Sequence, residues 1–176
     1  GDGGVITTRC PNIYNRCLQL RNHGLSDRDT CGNWGRNSRL DELQAAVANY
    51  KLGKIDQLNQ RFREIASMYN RSLSKLVTTP SESEHEWSVY HNYVVLTENR
   101  NKLKAHLDEM GIDTKIRYPK LLSSQPASIK SKFPDFDVSV AKMLCERMLS
   151  LPIFPEMMDD EVNRVCTAVK DFFDKR

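Results

Sequence analysis

The chain has 176 residues, 39% of them hydrophobic and 28% charged, with a formal net charge of +3. That length fits one domain, or a domain plus a smaller lobe, and the balance is that of a folded globular chain rather than a disordered one. Its bases are interleaved with acids and make no nucleic-acid stripe, and no apolar run approaches the ~18 residues of a membrane span, so neither partner is expected. Five cysteines (Cys10, Cys17, Cys31, Cys145 and Cys166) show no C-x-x-C spacing. A metal site or disulfide framework is therefore not expected, and with no signal peptide before Gly1 the expected compartment is the reducing cytoplasm. Cys145 and Cys166 fall at apolar helical positions and read as buried thiols.

In chain order, Gly1-Asp2-Gly3-Gly4 reads as a tight glycine turn feeding a short β-branched strand over residues 5–8. Residues 12–22 predict a helix with Ile13, Cys17 and Leu20 on one face, stopped by Arg21-Asn22-His23-Gly24. Residues 25–36 are polar and glycine-punctuated and read as a mobile loop. The longest periodic signal follows, from Leu40 through Val47, Ile55, Phe62 and Tyr69 to Leu76, mostly at three- and four-residue steps. It predicts one amphipathic helix over residues 38–73, kinked at Gly53. At ~1.5 Å per residue such a helix is roughly 50 Å long, more than the ~40 Å diameter of a compact globule of this length. It must kink, bridge two lobes or lie against another subunit.

Residues 78–86 read as a Pro/Ser/Glu-rich linker and 89–97 as a strand. A helix over 99–110, with Leu103 and Leu107 inward, stops at Gly111, and a second strand over 113–118 ends at Pro119. Residues 120–137, holding Pro126 and Pro134, read as irregular. A helix over 138–149, a short strand over 151–154 and a last helix over 159–173 complete a small α+β lobe. Val162, Val165, Cys166, Val169 and Phe172 form the buried face of that last helix.

Bare chemistry offers no catalytic constellation. None of the four histidines (His23, His85, His91 and His106) lies in a nucleophile elbow or at zinc spacing. His106 reads as solvated on a polar helix face and His85 as exposed in the linker. His91, between Tyr90 and Tyr93, suits packing or a site wall equally. The junction Gly35-Arg36-Asn37-Ser38-Arg39-Leu40-Asp41-Glu42 carries two readings: a capped helix start on Ser38 with Asp41 and Glu42 in the first turn, or an anion seat built from Asn37 and two guanidiniums. Both stand at this level.

Eight stretches in order resemble the DegT/DnrJ/EryC1/StrS aminotransferases. They are the opening through Thr8, Leu20-Arg21-Asn22-His23-Gly24, the run from Asn37 to Ala46, Tyr90-His91-Asn92-Tyr93-Val94-Val95, Gly111-Ile112-Asp113-Thr114, Tyr118-Pro119, Gln125-Pro126-Ala127, and Leu149 through Glu156. The resemblance implies the C-terminal portion of a fold-type I pyridoxal phosphate transferase: an edge of the large cofactor domain (1–37), a long bridging helix (38–76) and a small α+β domain (77–176). It implies transfer of an amino group from glutamate to a nucleotide-linked keto-sugar, by a homodimer. Asn37, with Arg39 beside it, matches the family's contact to the cofactor phosphate across the dimer. Tyr118 matches the tyrosine of its substrate-site His-Tyr pair, Arg117 stands at the histidine's position, and His91 is a further candidate. Arg117 departs from the family's usual His, which implies a more anionic sugar or an altered rim contact. The family's Schiff-base lysine lies just before the G-D-G-G turn, and none of the lysines in these residues matches it. The resemblance therefore implies no catalytic residue, no covalently bound cofactor and no activity for these residues alone. A truncated non-catalytic dimerisation or binding module, and a sugar dehydratase of the same fold, are the alternatives.

Overall fold

The computed structural model describes residues 3–131 and 136–174. The turn at Gly1 and Asp2, and Pro134, lie outside the described residues. Contacts divide the chain into two compact units, Gly1–Ile55 and Asp56–Arg176. The division falls within the long periodic stretch, whose second half is buried in the C-terminal core.

The N-terminal unit holds helix α1 (Pro11–Arg21) and helix α2 (Glu42–Leu52). Pro11 opens α1 at a position where its missing N–H costs nothing. The expected strand over residues 5–8 does not form, and Val5 and Ile6 are exposed. A strand needs a neighbour for its ladder, and no described segment pairs with this one. The loop over residues 25–36 is closed rather than loose. Asp27 Oδ1 accepts the N–H groups of Asp29 (3.0 Å) and Thr30 (2.8 Å), an Asx turn. Those two bonds hold its carboxyl below the usual carboxylate range. The single long helix is corrected to two, since helical structure lapses at Gly53 and Lys54 before α3 (Ile55–Leu73) begins.

In the C-terminal unit, α3 buries Ile65, Ala66, Tyr69 and Leu73. Strand β1 (Tyr93–Leu96) pairs antiparallel with β2 (Met148–Leu151), with Tyr93 opposite Leu151 and Val95 opposite Leu149. Isolated bridges extend this pair on each side, Thr78 to Leu96 and Lys115 to Ser150. Between the strands come α4 (Arg100–Glu109), a 3₁₀ turn (Leu122–Ser124), α5 (Pro126–Lys130) and α6 (Ser139–Arg147), and α7 (Asp159–Asp174) closes the unit. Leu103 and Leu107 of α4 and Val162, Val165, Cys166 and Val169 of α7 are buried as their spacing predicts. Phe172 is only partly buried, against the same core.

Other expectations are corrected. The strand over 89–97 shrinks to four residues, and that over 113–118 to one bridge at Lys115. The strand expected at 151–154 lies three residues earlier, where Leu149 and Leu151 face the core. Part of the irregular 120–137 stretch is helical because Pro126 starts α5. His106 is half-buried, its Nε2 lying 3.1 Å from the Ala168 carbonyl and its ring 5.6 Å from that of Phe172. Cys166 is buried, which pushes its thiol pKa up, whereas Cys145 is only partly covered. Leu149 is fully enclosed at the sheet centre. Leu149→Ala is expected to cost about 2–5 kcal/mol, read from the urea midpoint of unfolding. A loss below about 1 kcal/mol would contradict this core assignment.

Candidate functional site

In each unit one cleft is lined by residues singled out in the sequence. In the N-terminal unit the chain after α1 turns back on itself through His23 (φ 57°) and Gly24 (φ 76°). Gly24 donates to Gln19 O (2.8 Å), and its own carbonyl accepts from Gly32 (3.1 Å) and Asn33 (3.2 Å). A Cβ on Gly24 would sit 1.5 Å from Asn33 O, so only glycine fits. The returning strand is then stitched along the end of α1: Arg36 N–H to Leu20 O (2.9 Å), His23 N–H to Arg36 O (3.0 Å), and Ser38 N–H to Arg21 O (2.9 Å). Asn37 bridges Asn22, and the Arg39 guanidinium donates to Asn22 Oδ1.

This places Asn37, Ser38 and Arg39 on the wall of a cleft of about 420 Å³, with Gly3, Gly4 and Leu40. The capping reading of Ser38 is corrected. Its N–H is spent on Arg21, and α2 starts only at Glu42, with Asp41 in the N-cap position making no side-chain cap bond. The segment is extended and bears an amide, a hydroxyl and a guanidinium, and it is not a helix N-terminus. Among the described residues, no carboxylate lines the cleft.

In the C-terminal unit a cleft of about 440 Å³ is lined by His91, Asp113, Lys115, Arg117, Ser150 and Phe154, among others. Two devices build it. The Lys115–Ser150 bridge, with N–H to O distances of 3.1 and 2.8 Å, brings residues 113–117 alongside β2. The second device is an ion pair that holds the turn before His91. Arg63 Nη1 and Nη2 donate to Glu82 Oε1 (2.6 Å) and Oε2 (3.0 Å), and Nη1 also donates to Ser88 O (2.7 Å). Glu82 in turn accepts the Ser88 N–H. The guanidinium lies over the rings of Trp87 (4.9 Å) and Tyr90 (5.8 Å). Tyr90 is buried and has φ 47°, a left-handed conformation that a bulky side chain adopts only when its surroundings impose it. Asp113 is paired with Lys115 at 2.8 Å, which holds its carboxyl below the usual range.

The structure thus brings His91 and Arg117 to one cleft, and Asn37 and Arg39 to another. Tyr118 is 74% exposed and outside both linings. Sequence reasoning missed Asp113, Lys115 and Ser150 as cleft residues. Only the strand pairing, invisible in local sequence, assembles them. No cluster of His, Cys, Asp and Glu able to hold a metal ion occurs among the described residues, nor any helix long and apolar enough to cross a membrane.

The architecture is that of the fold-type I pyridoxal phosphate aminotransferases. The described fold superposes on Streptomyces venezuelae DesV with a TM-score of 0.88 at 34% identity, covering 94% of this chain and 45% of that one. Among sequence relatives, the dTDP-3-amino-3,4,6-trideoxy-alpha-D-glucose transaminase of Streptomyces venezuelae is 34% identical over 99% of this chain and 47% of its own length. A pleiotropic regulatory protein of Geobacillus stearothermophilus is 33% identical over 98% of this chain and 48% of its own length. The chain belongs to the DegT/DnrJ/EryC1/StrS aminotransferase family, whose model matches residues 1–170. It spans about half the length of these curated relatives.

Proposed function

We propose that the protein is a pyridoxal phosphate-dependent aminotransferase that moves an amino group from glutamate to a nucleotide-linked keto-sugar. This chain supplies an edge of the cofactor domain, the helical stretch that bridges it to the small domain, and the small domain itself. The observation that carries the reading is the donor segment Asn37–Arg39, an amide, a hydroxyl and a guanidinium on one cleft wall, presented on an extended segment that Gly24 and the end of α1 hold in place. The Asn37 amide, Ser38 hydroxyl and Arg39 guanidinium fit a phosphate. Pyridoxal phosphate, when bound, supplies the electron sink for amino transfer. Asn37 and Arg39 bind and orient its phosphate, and His91 and Arg117 line the sugar end with Tyr118 at the rim. A homodimer suits the exposed apolar side chains of α2, Leu43, Val47 and Tyr50.

The test is a titration of the chain with pyridoxal phosphate, followed by absorbance and by borohydride fixation. Saturable binding is expected to weaken about tenfold in Asn37→Ala, the loss of one charge-assisted hydrogen bond. No single lysine should become labelled, because none among the described residues lines the Asn37 cleft. Affinity unchanged from the unsubstituted chain in both Asn37→Ala and Arg39→Ala would remove the seat, and specific labelling of one lysine would place the Schiff base within these residues.

A further inference from the structure

The sheet sorts its residues onto two faces. Directly opposed residues of an antiparallel pair project the same way, so Val94, Ser150 and Lys115 share one face, while Tyr93, Val95, Leu149 and Leu151 share the other, which is buried. The first face, with Ser150 and Lys115 on it, forms part of the wall of the 440 Å³ cleft. Its volume is at the small end of ligand pockets, which run from about 300 to 1,000 Å³.

The charges of this wall do not balance. Among the described residues, Asp113 is the one acid lining the cleft, and it is already paired with Lys115. Arg117 has no ion-pair or hydrogen-bond partner among the described residues, so the cleft retains one unopposed guanidinium. Ser150 adds a second observation. Its residue is 7% exposed, it lines the cleft, and its hydroxyl has no hydrogen-bond partner among the described residues. A buried hydroxyl without a partner is uncommon and calls for an acceptor. An uncompensated fork-shaped cation with a spare hydroxyl donor matches the two oxygens of a carboxylate.

We propose that this cleft selects a sugar bearing a carboxylate, a uronic acid ring, with Arg117 as the residue that reads the charge and Ser150 as a second donor. The inference rests on the nucleotide-sugar reading above and narrows it to one substrate class. The diphosphate of a nucleotide is the other anion that Arg117 could meet, and the experiment separates the two. The 176-residue chain is titrated at low salt with UDP-glucuronate, UDP-glucose and UDP, with binding read by calorimetry and by amide shifts of His91, Lys115 and Ser150.

UDP-glucuronate is expected to bind about tenfold more tightly than UDP-glucose, the worth of one charged hydrogen bond. In Arg117→Ala that ratio should fall to about one. Arg117 is exposed, so the variant should fold. Equal affinities for the two sugars would overturn the carboxylate preference while leaving the nucleotide-sugar reading standing. UDP binding as tightly as UDP-glucuronate would show that the diphosphate is the anion read, and would overturn it too. A preference that survives in Arg117→Ala removes Arg117 as its reader. If no nucleotide sugar moves these resonances, the nucleotide-sugar reading falls together with the inference.

Discussion

Gly24→Ala is expected to dismantle the Asn37 seat. The new Cβ would lie 1.5 Å from Asn33 O and 2.5 Å from its carbonyl carbon, so backbone must move. The residue would also be held at φ 76°, where an L side chain is strained. Clash and strain together should cost about 3 kcal/mol or more. The cost falls on the turn that carries residues 32–38 back along α1, since Gly24 O accepts from both Gly32 and Asn33. Gly35 shares the crossing: a Cβ there would come within 2.3 Å of Gly24 N. The expected readout is loss of amide-exchange protection at Arg36 and Ser38, whose N–H groups bond α1, with the Asp56–Arg176 unit unchanged. Retained protection at both amides would show that the turn relaxes without releasing the segment.

Arg63→Met is expected to open the turn that presents His91. Methionine keeps an apolar stem over Trp87 and Tyr90 but removes every hydrogen bond the guanidinium makes. Glu82 and the Ser88 carbonyl lose their partner together. Ser88 amide exchange should accelerate by at least about tenfold, and the resonances of Tyr90 and His91 should shift. Lysine is not expected to rescue it, since an ammonium cannot reproduce a two-pronged contact plus a carbonyl bond. The same clamp has a pH signature. Hydrogen bonding to Arg63, then to the Ser88 N–H, lowers the Glu82 pKa from 4.5 to about 2. A lowered carboxyl pKa stabilises the folded form above its unfolded value, and that contribution fades as pH falls. Ser88 protection should therefore hold above about pH 4.5 and decline toward pH 2, and Glu82→Gln should abolish that dependence. Unchanged Ser88 exchange in Arg63→Met would end the clamp assignment.

What local sequence made legible, and what it did not, follows from the range of the forces involved. The stripes of α4 and α7 are written in three- and four-residue steps, and their buried residues fall where those steps put them. The two-residue lapse at Gly53 and Lys54 was signalled by the one five-residue step in the pattern. The strands are only four residues long, and their position is set by partners far along the chain, Tyr93 with Leu151. Local alternation therefore placed their ends wrongly. Ser38 looked like a cap because Asp41 and Glu42 follow it, but its N–H is drawn to Arg21 by a fold-back centred on Gly24. His91 was legible as packing or a site wall from its flanking tyrosines and Arg117 from a family resemblance, and the structure adds why they share a cleft: Lys115 bridges Ser150, and Arg63 holds the turn at Tyr90.

Helix α2 has 11 residues, none of them buried, and no side-chain cap at its start. Isolated helices shorter than about 12–15 residues are marginal in water. In the proposed homodimer its order is imported by what rests on Leu43, Val47 and Tyr50. For this stretch that proposal makes folding and association one equilibrium, with its helical fraction set by mass action as well as by its own residues.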